Sequence, residues 1–137
     1  MSLGNSTETD ILNLLFNKTA LPWDANTNLY LSLHTGDPGE AGTQLSGPEA
    51  NYTGYARVTV ARGVGGFTVS GDTVSNTALV QFPQCTGGSN LISHVAIGTA
   101  ASGAGQILAS GALNSSLTVT NLIQPQFSAA ALQLTIT

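Results

Sequence analysis

The amino-acid sequence predicts an all-β fold: a single antiparallel β-sandwich of about eight or nine strands with a short N-terminal helix or arm. Three observations carry this reading. From Asn28 onward apolar residues recur at every second position, Gly-, Asn- and Ser-rich breakers separate these runs, and only one stretch near the N-terminus spaces its apolar residues as a helix does. At 137 residues and 42% hydrophobic content, the chain has enough apolar material for one domain with its own core. The organisation read from it is an N-terminal arm and short helix over residues 1–27 and a β-sandwich domain over residues 28–137.

Taken in order, Thr7 followed by Asp10 fits a helix-start pattern ahead of Ile11, Leu12, Leu14, Leu15 and Phe16. Ile11 with Leu15, and Leu12 with Phe16, are four apart and share a face, so a helix is expected over residues 9–18. Pro22 ends it, and Trp23-Asp24-Ala25-Asn26 is a turn-rich link. Leu29, Leu31 and Leu33 then alternate with Tyr30, Ser32 and His34, the pattern of a strand with one face in a core. The breaker cluster Thr35-Gly36-Asp37-Pro38-Gly39-Glu40 opens a long excursion to about Asn51.

Further strands are expected around Val58 and Val60, Phe67 and Val69, Val80 and Phe82, Val95 and Ile97, Ile107 and Ala109, Leu117 and Val119, and Leu132, Leu134 and Ile136. Gly71-Asp72 supplies a tight turn, and Gly87-Gly88-Ser89-Asn90, Ala101-Ser102-Gly103-Ala104-Gly105 and Asn114-Ser115-Ser116 read as loops.

Charge is scarce. Lys18, Arg57 and Arg62 are the whole cationic inventory against seven acids, whereas an ordinary domain carries charge on about a quarter of its residues. Seventeen Thr, thirteen Ser and ten Asn stand instead, residues that hydrogen-bond across a contact without the desolvation cost of a buried charge. Such a surface suits permanent assembly. Three scattered cations and a net charge of −4 make no basic stripe for phosphate contacts, so no nucleic-acid partner is expected. The N-terminus lacks the positive region of a secretory leader, and no run of about 18 apolar residues marks a membrane span.

Enzymatic chemistry finds little support in the residue pattern. His34 and Asp37 lie close, but no nucleophile elbow accompanies them and the breaker cluster gives Asp37 a turn role. Cys85 with His94 reads better as an unreactive core thiol and an unrelated imidazole than as a nucleophile and base. Two His and one Cys offer no transition-metal cluster, and Asp37 with Glu40 are too few for calcium. Gly63, Gly65 and Gly66 lack the Lys-Ser/Thr ending of a phosphate loop. The expectation is no catalytic residue, no cofactor and no metal.

Four stretches together carry a resemblance: Leu29-Tyr30-Leu31-Ser32-Leu33-His34-Thr35-Gly36-Asp37-Pro38-Gly39-Glu40-Ala41-Gly42, Tyr52-Thr53-Gly54-Tyr55-Ala56-Arg57-Val58, Phe82-Pro83-Gln84-Cys85-Thr86-Gly87-Gly88, and His94-Val95-Ala96-Ile97-Gly98-Thr99-Ala100. They resemble a family of small β-rich virion proteins of tailed bacteriophages, often labelled tail fibre proteins and similar to capsid cement or decoration proteins. The resemblance implies a virion component and brings no catalytic residues.

The favoured expectation is a capsid cement protein on the phage head surface, bridging major capsid subunits as a homo-oligomer. A tail fibre, adaptor or baseplate component is the first alternative, and a receptor- or carbohydrate-binding module the second. The interface candidates are Ile11, Leu12, Leu15 and Phe16 on the helix, the aromatics Trp23, Tyr30, Tyr52 and Tyr55, and the guanidinium groups of Arg57 and Arg62. Of the two arginines, at most one is expected to face the core side.

Overall fold

In a computed structural model describing every residue from Met1 to Thr137, the chain forms β1 (Ser2–Leu3), α1 (Asn5–Asn17), β2 (Asn28–His34), β3 (Val58–Ala61), β4 (Phe67–Ser70), β5 (Thr73–Asn76), β6 (Val80–Gln81), β7 (Asn90–Gly98), β8 (Ile107–Val119), β9 (Gln126–Phe127) and β10 (Gln133–Thr135). All strand pairs are antiparallel. They make a five-stranded sheet ordered β1-β8-β7-β2-β3, a three-stranded sheet ordered β10-β5-β4, and a two-stranded ribbon of β6 and β9. The all-β expectation therefore holds, and the helix at the N-terminus is the only one.

Side chains from all three sheets meet in one apolar cluster. Leu29, Leu31 and Leu33 of β2 pack with Val95 and Ile97 of β7, Leu108 of β8 and Val80 of β6, while Phe67 and Phe127 close it from β4 and β9. An aromatic row crosses this core: Tyr52 meets Tyr55 edge-on at 5.4 Å, Tyr55 stacks on Phe82 at 6.3 Å, and Phe82 meets Phe127 edge-on at 6.2 Å. These are the favoured offset and T-shaped arrangements of aromatic rings.

Several sequence expectations are corrected. The helix begins at Asn5, four residues before the expected start, because Gly4 caps it; a Cβ there would collide with the Ile107 carbonyl of the neighbouring strand. Thr7 lies inside the first turn, buried, and donates its hydroxyl to that carbonyl at 2.9 Å. Ser2 and Leu3 of the arm pair with Ser110 and Ala109, as the edge strand of the five-stranded sheet.

The Asn114-Ser115-Ser116 loop is instead part of β8. Ile92 of β7 faces Leu117, whereas His94 faces Ala112, which leaves three more residues on β8 than on β7 between these points. The polar triplet is the slack of a bulge, so the expected two strands are one bent strand.

Strand β2 also differs from a strand with one wet face. It is an interior strand, flanked by β3 and β7, and Leu31, Ser32, Leu33 and His34 are all buried. The second face is roofed by the long excursion, whose Gln44 side chain is fully buried. Gly98 and Gly105 flank that amide so closely that a methyl at either would overlap it.

Gly98→Ala is therefore expected to lower unfolding free energy by about 1–3 kcal/mol, the usual range for overpacking. Gly65→Ala, where an added methyl meets nothing within 4 Å, should stay within about 0.5 kcal/mol of the parent. Chemical denaturation of the two variants beside the parent checks both.

Candidate functional site

Two layers of side chains hold the polar groups of this molecule, one running from the interior to the protein's edge and one on the surface. The first layer begins on the even face of β2. His34 Nδ1 lies 2.7 Å from the Ser46 carbonyl, which only accepts, so Nδ1 carries the proton and Nε2 accepts from the Ser32 hydroxyl at 2.8 Å. Burial lowers the His34 pKa from its ordinary value, outweighing the opposing pull of the Ser46 carbonyl and the Glu49 charge, so the ring is neutral. The serine-to-imidazole arrangement has the donor order of a hydrolase pair, yet both side chains have no exposed surface. It is a structural bond.

Beside it sits the one buried ion pair. Arg57 grips Glu49 with both arms, Nε to Oε2 at 2.7 Å and Nη2 to Oε1 at 2.9 Å. Its remaining donors reach the Ala100 carbonyl at 2.8 Å and the Gly103 carbonyl at 2.6 Å. Tyr55 donates its hydroxyl to Glu49 Oε2 at 2.7 Å and accepts from the Leu33 amide at 3.1 Å. Burial first, and then this bond to the carboxylate, pushes the Tyr55 phenol far above its usual range. Gln44 Oε1 accepts from the Ala100 amide and Gln44 Nε2 donates to the Tyr30 carbonyl, both at 3.1 Å. No buried side-chain nitrogen or oxygen in the protein lacks a partner.

The structure therefore separates the ten interface candidates. Tyr52, Tyr55 and Arg57 are committed inside the fold: Tyr52 is buried, donates to the Pro83 carbonyl at 2.7 Å, and its phenol is pushed up to about 12 by burial. Tyr30 is half-buried on β2. Arg62 is partly exposed, bonding the Asp24 and Asn26 carbonyls and pairing with the Asp24 carboxylate at 3.3 Å while its guanidinium lies 4.9 Å from the Trp23 ring centre. Trp23 is half-buried and donates its indole N–H to Asp10.

Helix α1 is anchored through its polar face. Gln106 donates to both Thr7 and Asp10, at 3.0 and 2.9 Å, and these contacts turn the opposite face outward. Leu12, Leu15 and Phe16 are 58, 67 and 78% exposed, with Ile11 half-buried. A surface helix ordinarily turns its apolar stripe to the core; this one is reversed.

The other sequence candidates resolve simply. Asp37 accepts from the Gly39 amide at 2.8 Å, a turn bond. Cys85 is buried with its thiol donating to the Gly87 carbonyl at 3.1 Å, while His94 bonds Ser93. No three His, Cys, Asp or Glu side chains converge as metal ligands. Sequence reasoning missed Gln44, Glu49 and Ser32. Glu49 had a signal, being the last acid before Tyr52-Thr53-Gly54-Tyr55-Ala56-Arg57, but Gln44 and Ser32 had none beyond their surroundings in space.

Arg57→Met is expected to cost about 3–5 kcal/mol, the range for removing one partner of a buried ion pair, whereas Arg62→Met at its exposed pair should cost about 1 kcal/mol or less. Equilibrium unfolding of both separates them. His34 sets a pH dependence: its folded pKa is below the unfolded 6.5, so its contribution is complete above pH 6.5 and is lost as pH falls from there towards the folded value. Unfolding free energy should drop as pH falls below 6.5 with a slope from this residue of at most about 1.4 kcal/mol per pH unit, and His34→Gln should flatten it.

No curated protein matches the chain. The family model of podophage GP4 fiber I protein gp80 matches residues 2–135, so the match includes α1, the polar layer over β2 and every strand. The chain belongs to this podophage fibre protein family and is a phage virion structural protein.

Proposed function

We propose that the protein is a non-catalytic structural subunit of a podophage tail fibre. The observation that carries this reading is the division of its side chains: the polar groups suited to chemistry bond to one another, Ser32 and His34 with no exposed surface and Glu49, Tyr55 and Arg57 half-buried, while thirteen large apolar side chains are exposed. Single exposed apolar residues are ordinary, but this many beside three cations describe a surface whose neighbours are other subunits. The family points the same way, being a fibre protein with no enzymatic description.

Quantification of the protein in purified virions tests the location. A fibre subunit is expected at a copy number far below that of the major capsid protein, and phage lacking it should assemble stable, DNA-filled heads that adsorb poorly to the host. Copy number comparable with the major capsid protein, together with heads that rupture at lower temperature in its absence, would assign it instead to the head surface as a cement protein. Because the exposed groups are apolar or neutral, moderately high salt should leave the subunit attached in either place.

A further inference from the structure

We propose that the open edge of β8 takes an extended, uncharged polypeptide segment of another virion protein as an added strand. Strand β8 is 13 residues long, yet on the side away from β7 only its Ser110 and Ala109 pair with a strand, the two-residue β1. The Gly4 amide bonds the Leu108 carbonyl on that side at 3.1 Å, so by alternation Ser110, Ala112 and Asn114 turn their backbone groups the same way. β1 meets Ser110; no strand meets Ala112 or Asn114 there. From Ala112 to Thr118 every residue but Leu113 is exposed. Edge strands are ordinarily blunted by charge, proline or a covering element, and Ile107–Val119 contains neither charge nor proline. Its bulge at Asn114-Ser115-Ser116 bends the strand without covering it.

A cleft runs beside this edge. Two slots of about 270 and 410 Å³ open between β8 and residues 125–127 and 131–133, and both are lined by Leu113, Asn114 and Phe127, so they continue into one another along the strand. Their inner wall is core, formed by the buried Leu33, Ile92 and Val95. Leu113 lines both slots, and the residue of an added strand opposite it faces the same way. The backbone at Ala112 and Asn114 thus sets the path of a guest strand, and the slots take its alternate side chains, which is how strand addition divides affinity from specificity. No ionisable side chain lines either slot, so those inward positions are apolar or neutral.

The guest is foreign to this chain. All ten strands are already paired within the chain, so a second copy has no free strand to lend. The edge from Ala112 to Val119 spans at most roughly 27 Å at about 3.4 Å per residue, which suits a guest of about six residues, a usual strand length. An extended segment of another subunit meets that length and the neutral lining together. The inference rests on the chain being a virion subunit and holds on tail or head alike, so copy number tests the location and the state of this edge tests the contact.

Amide hydrogen exchange of the purified full chain, compared with the same chain in purified virions, tests the contact. Residues 111–119 are expected to exchange at least tenfold more slowly in the virion. With p-benzoylphenylalanine in place of Ser116, irradiated virions should yield a crosslink, mapped by mass spectrometry, to one segment of a virion protein other than this chain. Ala112→Pro removes an amide donor on the open side, and Asn114→Lys sets a charge at the cleft. Both variants should keep the parent's circular dichroism and thermal unfolding and enter virions at least tenfold less; Asn114→Lys carries the test if the proline variant does not fold. Equal exchange in the two states, normal incorporation of Asn114→Lys, or irradiation that joins Ser116 to no other protein would each overturn the proposal. A crosslink to a second copy would overturn it too, because the edge would then pair with its own kind.

Discussion

The Glu49–Arg57 pair is the constraint on which the rest of the interior depends. Three segments that leave the sheets converge on it: the excursion after β2 brings Gln44 and Glu49, the approach to β3 brings Tyr55 and Arg57, and the loop between β7 and β8 brings the Ala100 and Gly103 carbonyls. A buried guanidinium is tolerable only when nearly every donor has an acceptor, and here two carboxylate oxygens and two carbonyls meet that demand. Since Tyr55 also binds the Leu33 amide and stacks on Phe82, the pair joins the polar roof of β2 to the apolar core beneath it.

This arrangement inverts the ordinary distribution of polarity over a small domain. One face of β2 looks into leucine, valine and phenylalanine, and the other into Ser32, His34 and Gln44, which are equally free of solvent. The polar layer adds directionality, because its bonds are satisfied in only one register of the roof over the sheet. Outside, the same economy runs in reverse. The helix spends its polar residues on attachment and leaves its leucines and Phe16 in solvent, so the surface offers apolar area where an isolated domain would offer charge.

Much of the fold was legible in the sequence because its strands announce themselves by period. Leu29, Leu31 and Leu33 do face one core, and the Gly71-Asp72 turn does join two paired strands. What the sequence concealed depends on partners far along the chain. The helix start follows from the Ile107 carbonyl, about a hundred residues away, which only a glycine at position 4 accommodates. Asn114-Ser115-Ser116 has loop composition, yet β7 supplies a ladder on either side of it and absorbs it as a bulge. For the candidate residues the limit is sharper. Tyr and Arg are the residue types that anchor interfaces and also those that bridge a core to its polar edge, and only three-dimensional position separates Tyr55 and Arg57 from Leu15 and Phe16.

The stretches that carry the family resemblance follow the same division. Ser32 and His34 lie in the first, Tyr52, Tyr55 and Arg57 in the second, Phe82 and Cys85 in the third, and His94 to Ala100 supply the β7 side of the roof together with the carbonyl held by Arg57. These residues build the scaffold, Ser32, His34, Phe82 and Cys85 with no exposed surface and Tyr55, Arg57 and His94 half-buried. The exposed stripe of α1 and the exposed Val64 and Val69 lie outside all four stretches. Resemblance of this kind thus reports how the domain is held together, and it does not extend to residues such as Phe16 and Val69, whose side chains the fold itself leaves largely uncovered.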